Sequence, residues 1–240
     1  MYSKEEFTEK LSRALSLAGL SEFSHAGEKL YTVSARLEEF GKKFNLTAIT
    51  DPDEVIAKHL TDCLFLAAAI DSPKGKKLID IGSGAGFPSL PTAAACPDLF
   101  VTAVDSTAKK VNYMNETAKC AGIENFTAYC KRAEEFAAEK RESFDFATAR
   151  AVAALPVLCE LCIPYVRVGG KFIAMKGAAA EDEMAQAAEA AKKLGCDEGR
   201  LIPYSLPNME DKRFLIIYTK KSPTPTAFPR NYSQISKKPL

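Results

Sequence analysis

Apolar residues fall three and four apart over residues 1–70 and gather into short continuous runs after residue 76. The first pattern is helical. Phe7, Leu11, Ala14 and Ala18 share one side of a stretch opened by Ser3 and Glu6, a capping-box pair, and closed by Gly19. A second helix is predicted from about Ser24 to Gly41, with Leu30, Val33, Leu37 and Phe40 on one face. A third opens at Asp51-Pro52-Asp53-Glu54, where Asp51 can cap and Pro52 suits the first helical position. Val55, His59, Cys63 and Leu66 continue its apolar side.

From Lys76 the period changes. LIDI (78–81), LFVTAVD (99–105), FTAYC (126–130), FDFATA (144–149) and GKFIAMK (170–176) read as strands, separated by segments of helical length. Strands alternating with helices imply an α/β fold with a doubly wound, mostly parallel sheet covered on both faces. RLIPYSL (200–206) and RFLIIYTKK (213–221) lie too close for a crossover helix, so the final pair is predicted to be antiparallel. The expected organisation is a helical N-terminal segment (1–73), an α/β domain (74–221) and a basic, Pro-containing, extended tail (222–240). No internal repeat is visible.

Composition adds exclusions. No apolar run approaches the roughly 18 residues of a membrane span, and the N-terminus lacks the basic-then-apolar pattern of an export signal. A cytoplasmic location is therefore expected. Seven cysteines, among them Cys63, Cys120 and Cys130, suit reduced and mostly buried thiols. The C-x-x-C pair Cys159 and Cys162 lacks a second pair or a nearby histidine, which favours core packing over zinc. The net charge of +1 hides an uneven distribution. After Asp211 come Lys212, Arg213, Lys220, Lys221, Arg230, Lys237 and Lys238 with no acidic residue.

The densest chemistry lies in LIDIGSGAGFPSLP (78–91), where Gly82, Gly84 and Gly86 follow the first strand. A tight turn alone accounts for one or two glycines; beyond that, the turn admits a ligand at the carboxyl ends of the strands. The spacing is G-x-G-x-G, not the G-x-G-x-x-G of a pyrophosphate site, and the carboxylate of Asp80 just before it favours a cationic ligand. Asp105 ends the second strand about where an acid binds ribose hydroxyls in dinucleotide folds. An adenosine with an amino group and no phosphate fits this set, which points to S-adenosylmethionine. The antiparallel ending likewise resembles that of class I S-adenosylmethionine-dependent methyltransferases.

FNLTAITDPDEVIAKHLTDCL (44–64), the glycine stretch, VDSTAKKVNYM (104–114), RAEEF (132–136), FDFATARAVAAL (144–155), GGKFIAMKG (169–177) and the terminal FPR and KKPL occur in one order over nearly the whole chain. In this the chain resembles the bacterial small-subunit rRNA guanine-N7 methyltransferases, also called glucose-inhibited division protein B. The resemblance implies a monomer that methylates a guanosine of 16S rRNA, with S-adenosylmethionine as cofactor and rRNA or a ribosomal particle as partner. It implies that Gly82 and Phe87 contact the cofactor, that Ala133 and Glu134 lie along its adenine, and that Arg150 borders cofactor and acceptor. Asp80, Gly84, Gly86, Asp105 and Ser106 complete the expected cofactor set. Asn45, His59, Arg132, Arg213, Arg230, Lys237 and Lys238 form the expected RNA-binding set. Where Ala149-Arg150-Ala151 stands, many members have Ser-Arg-Ala, and the tail carries fewer lysines than is usual.

Simpler readings stand beside several of these. Glu134 opens a helix, where a carboxylate favours the macrodipole in any protein, His59 sits on an apolar face as core histidines do, and Lys109 and Lys110 suit a solvated helix face. No metal site is suggested. Guanine N7 carries a lone pair and no proton, so neither a general base nor a covalent nucleophile is required. Accordingly TARAVAAL follows the fourth strand instead of an Asn/Asp-Pro-Pro-aromatic motif, and no Pro-Cys pair appears. Small-molecule methyltransferases share those absences. A methyltransferase for another RNA base or a small molecule, a non-catalytic RNA-binding module and a nicotinamide dehydrogenase stay open at this level.

Overall fold

The structure, a computed structural model, describes residues 2–240 apart from the Lys42 side chain. It begins with α1 (Lys4–Ala18), whose first turn is closed by the Ser3 hydroxyl accepting the Glu6 N–H at 3.2 Å. Gly19, left-handed at φ 72°, ends it. The second helix starts later than its sequence suggests. Ser21–Ala26 winds as a 3-10 turn, and α2 (Gly27–Phe44) follows, closed by Asn45 at φ 50°. Asp51 accepts the Glu54 N–H at 3.0 Å and opens a continuous helical stretch: α3 (Pro52–Glu54), a π-helical Val55–Thr61, and α4 (Asp62–Ala68). In the π portion the Asp62 N–H reaches back to Ala57 O, which relieves the Lys58 carbonyl of its α-helical donor.

The α/β portion runs β1 (Lys77–Ile81), α5 (Ser89–Ala95), β2 (Phe100–Asp105), α6 (Ala108–Cys120), β3 (Phe126–Cys130), α7 (Ala133–Lys140), β4 (Phe144–Arg150), α8 (Leu155–Cys162), β5 (Val166–Lys176), α9 (Ala180–Lys193), β6 (Arg200–Tyr204), β7 (Arg213–Thr219) and α10 (Tyr232–Lys237). The sheet order is β3-β2-β1-β4-β5-β7-β6. β1 to β5 pair in parallel, and β7 inserts antiparallel between β5 and β6, as the short connection requires. One apolar cluster joins the N-terminal helices to α5 and α6 through Leu30, Leu60, Leu90 and Met114. The other packs α7 to α10 on the opposite face through Phe136, Leu158, Ala187 and Ile235. Strand order reverses between β1 and β4, which opens a crevice beyond their carboxyl ends. No helix among the described residues is long and apolar enough to cross a membrane.

The tail departs from the extended segment expected of it. Glu160 lies in the apolar helix α8 and is fully buried, so its carboxylate requires a partner. Arg230 supplies one: Nε lies 2.9 Å from Oε1, Nη2 lies 2.6 Å from Oε2, and the backbone N–H donates to Oε1 at 2.8 Å. Asn231 then caps α10, whose Ile235 is completely buried. The guanidinium of Arg230 is thus committed to a buried carboxylate, which corrects its assignment as a free cation for RNA phosphate. Lys220 is likewise internal, donating to Ile163 O, Val166 O and Thr224 Oγ1. Two expected buried thiols, Cys120 and Cys130, are exposed, because each closes its element at the surface.

Replacing Arg230 by alanine strands a buried carboxylate. The expected cost is about 3 kcal/mol of unfolding free energy, the lower end for a broken buried pair because Arg230 is partly exposed. Urea denaturation measures it, and a loss below about 0.5 kcal/mol, the scale of an exposed pair, would refute the clamp.

Candidate functional site

The loop after β1 is pinned to β2 before it meets any ligand. Gly82 and Ser83 donate their N–H groups to Val104 O at 2.8 and 3.1 Å, and Ser83 Oγ donates to Asp80 O at 2.9 Å. Gly84 N–H donates to Asp105 Oδ2 at 3.0 Å, while Thr107 N–H donates to Oδ1 at 2.8 Å. Asp105 is therefore fixed by both oxygens, and each keeps a lone pair for another donor.

The three glycines do different work. A Cβ on Gly86 would lie 2.5 Å from Leu90 Cδ1, and one on Gly82 would lie 2.6 Å from Val152 Cγ2. Gly84, at φ 59°, would meet nothing closer than Gly82 O at 4.0 Å. Only Gly84 keeps space open for something outside the protein. Gly86 does not line the cleft, which corrects its place in the cofactor set: it lets helix α5 pack. Asp80 is corrected too. It is fully buried beneath the loop, outside the cleft wall, and neither carboxylate oxygen has a donor in good hydrogen-bond geometry. Burial pushes its carboxyl up to about 6, with the nearby Ser89 and Ser83 hydroxyls pulling the other way.

A cleft of about 490 Å³ opens at the carboxyl ends of the strands. Gly82, Gly84, Phe87, Asp105 and Ser106 line it from the β1 and β2 ends, Arg132, Ala133 and Glu134 from the start of α7, and His59 and Arg150 from above β4. Asn45, Arg213, Lys237 and Lys238 lie outside it. Asn45 caps α2, and Arg213 is drawn to Asp211 at 3.4 Å and Asp62 at 4.0 Å. Leu46, Ser83, Lys110, Lys131, Val152 and Tyr232 also line the cleft. Leu46, Ser83, Lys110 and Val152 fall within the motifs quoted from the sequence, where Lys110 reads as part of a solvated helix face, whereas Lys131 and Tyr232 carry no signal there. Ala151, left-handed at φ 57°, turns the chain so that Val152 covers Gly82.

Arg150 organises the wall above β4. Nη1 donates to Lys58 O and to Asp62 Oδ2, both at 2.9 Å, and Nη2 donates to His59 Nδ1 at 3.2 Å. Asp62 is 1% exposed and also accepts from the Tyr204 hydroxyl at 2.8 Å. With Nδ1 accepting, the other His59 nitrogen, Nε2, donates to Thr47 Oγ1 at 2.8 Å. The ring stacks on Phe87 with centroids 4.7 Å apart. Burial, and then the Arg150 charge, push the imidazole from its ordinary 6.5 down to about 3. His59 is neutral, with both nitrogens committed.

Residues 27–206 match the family described as GidB, rRNA small subunit methyltransferase G. The ribosomal RNA small subunit methyltransferase G of Oceanobacillus iheyensis is 41% identical over 234 residues, covering 97% of this chain and 98% of that protein. The protein of the same name from Halalkalibacterium halodurans is 41% identical over 240 residues, with 98% of each chain covered. Among solved structures, a SAM-dependent O-methyltransferase from Thermotoga maritima superposes with a TM-score of 0.54 at 17% identity, covering 79% of this chain and 72% of that one. That likeness is one of fold.

The depressed His59 value carries a sign. The unfolded chain takes up this proton near pH 6.5 and the folded one near 3, so the contribution of His59 to stability is full above about 6.5 and is lost as pH falls toward 3. Urea denaturation of the parent and of His59→Gln should give a stability difference that is flat above pH 7. Below about pH 6 it should shrink by up to about 1.4 kcal/mol per pH unit. A difference that stays constant down to pH 4 would show that His59 titrates as in water.

Proposed function

The chain belongs to the family of rRNA small subunit methyltransferases G, and from that premise we propose that it moves the methyl group of S-adenosylmethionine to N7 of a guanosine in 16S rRNA. The observation that carries the reading is the pairing of Gly84 with Asp105. An open Cβ position stands beside a carboxylate with unspent lone pairs, at the switch point of the sheet. S-adenosylmethionine, when bound, supplies an activated methyl on a sulfonium. Asp105 accepts the ribose hydroxyls, the Gly84 backbone allows close approach, and Ala133, Glu134 and Ser106 border the nucleoside.

The acceptor side needs position more than proton transfer. N7 attacks with its own lone pair, and the one imidazole in the cleft has no free nitrogen to act as a base. Arg150 keeps Nε–H and one Nη2 proton unspent, enough to donate to guanine O6 while N7 faces the methyl. Arg132 and Lys110 at the cleft, with Lys237 and Lys238 exposed on the tail, hold backbone phosphates. The enzyme works as a monomer in the cytoplasm on rRNA or a ribosomal particle.

N7-methylation leaves a fixed positive charge that makes the nucleoside labile to reduction and aniline cleavage. Primer extension over 16S rRNA after that treatment should stop at one guanosine in cells that carry the gene and not in cells that lack it; identical stops in both overturn the assignment. The glycines give a second test. Gly84→Leu should remain folded and lose S-adenosylmethionine binding by calorimetry, because the side chain enters the cleft. Gly86→Leu should instead lose 2 kcal/mol or more of stability, on the order of an overpacked core, because Leu90 must move. Reversed effects would show that the two positions are misread.

A further inference from the structure

Three aromatic side chains line the cleft: His59, Phe87 and Tyr232. The first two stack on each other. Tyr232 comes from the tail, is 41% exposed, and among the described residues its hydroxyl has no hydrogen-bond partner and its ring no aromatic or cationic neighbour.

Its backbone is nevertheless well held. Arg230 is clamped to Glu160 two residues before it, Asn231 caps the helix that it opens by accepting the Gln234 N–H at 3.0 Å, and Ile235 is buried in the cluster beneath α8. The tail is thus ordered by contacts of its other residues, and Tyr232 lines the cleft with much of its surface uncovered. Ala133, Leu161, Leu46 and His59 line the same cleft.

We propose that Tyr232 is a purine-stacking wall of this cleft, packing its ring on the adenine of the methyl donor or on the target guanine. The inference rests on the methyl-transfer reading above. Every base has a π-face, so the chemistry is the same for both sources, and a ring already fixed by its helix gives up little freedom on stacking. Phe87 is less available, being buried with His59 stacked on it and the Arg150 guanidinium 5.7 Å from its ring centre.

The sequence contains no tryptophan, so Tyr232→Trp introduces a single reporter. Its emission should be quenched as one ligand saturates, S-adenosylmethionine if the partner is adenine, or a 16S rRNA fragment with no donor present if it is guanine. Occupancy is checked in parallel with radiolabelled ligand. Tyr232→Ala should weaken the same ligand about ten-fold and leave the other unchanged, with Tyr232→Phe restoring the parent value. Unchanged emission with both ligands bound, together with parent-like affinities in Tyr232→Ala, overturns the proposal. A parent chain that binds the donor yet methylates no rRNA would fail the functional reading instead, and quenching by the donor would still establish the stacking.

Discussion

A carboxylate with 1% of its surface exposed is costly unless a cation and further donors reach it, and Asp62 obtains Arg150 and the Tyr204 hydroxyl. Those three residues come from the N-terminal helical stretch, the carboxyl end of β4 and the edge strand β6. Their meeting fixes where the helices sit over the sheet. The same guanidinium takes the Lys58 carbonyl that the π-helical turn leaves without its usual donor, and it orients His59, which in turn covers Phe87 of the glycine loop. One ion pair therefore joins the N-terminal helices, the sheet and the loop at the mouth of the cleft.

This arrangement explains how a cleft can be rigid without being closed. The loop after β1 takes its support from Val104 and Asp105, so the carboxylate that orders the backbone is the one left facing the cleft. Protein packing consumes two of the three glycines, and the open position is confined to Gly84. Asp80 and His59 are displaced in opposite senses for one reason: burial favours the neutral form of each. The charged groups of the cleft wall are Asp105 and Glu134 on one side of the balance and Lys110, Lys131, Arg132 and Arg150 on the other.

Much of this was legible along the chain. Helical spacing gave the helices, short apolar runs gave the strands, and the brief link between the last two runs gave the antiparallel ending. FTAYC became β3 with the same bounds, and Ser3, Gly19 and Asp51 terminate helices as their side chains or flexibility require. Gly84, Asp105 and Arg150 could be picked out because each ends or follows a strand, and a doubly wound sheet gathers strand ends in one place.

What the sequence could not decide was which groups would be spent on one another. Arg230 looked like a free cation because nothing near it is acidic; its partner, Glu160, lies 70 residues away in an otherwise apolar helix. Asp80 and Gly86 share a motif with Gly84, yet burial and the position of Leu90 give them structural work. Tyr232 carried no local signal, since it lines the cleft only after the tail folds back onto α8. The sequence alone thus determined most of the helices and strands, the antiparallel ending and the kind of ligand that the strand ends could hold. Tertiary packing decided which of those residues remain available to a ligand, because a side chain's availability depends on the partners that long-range contacts bring to it.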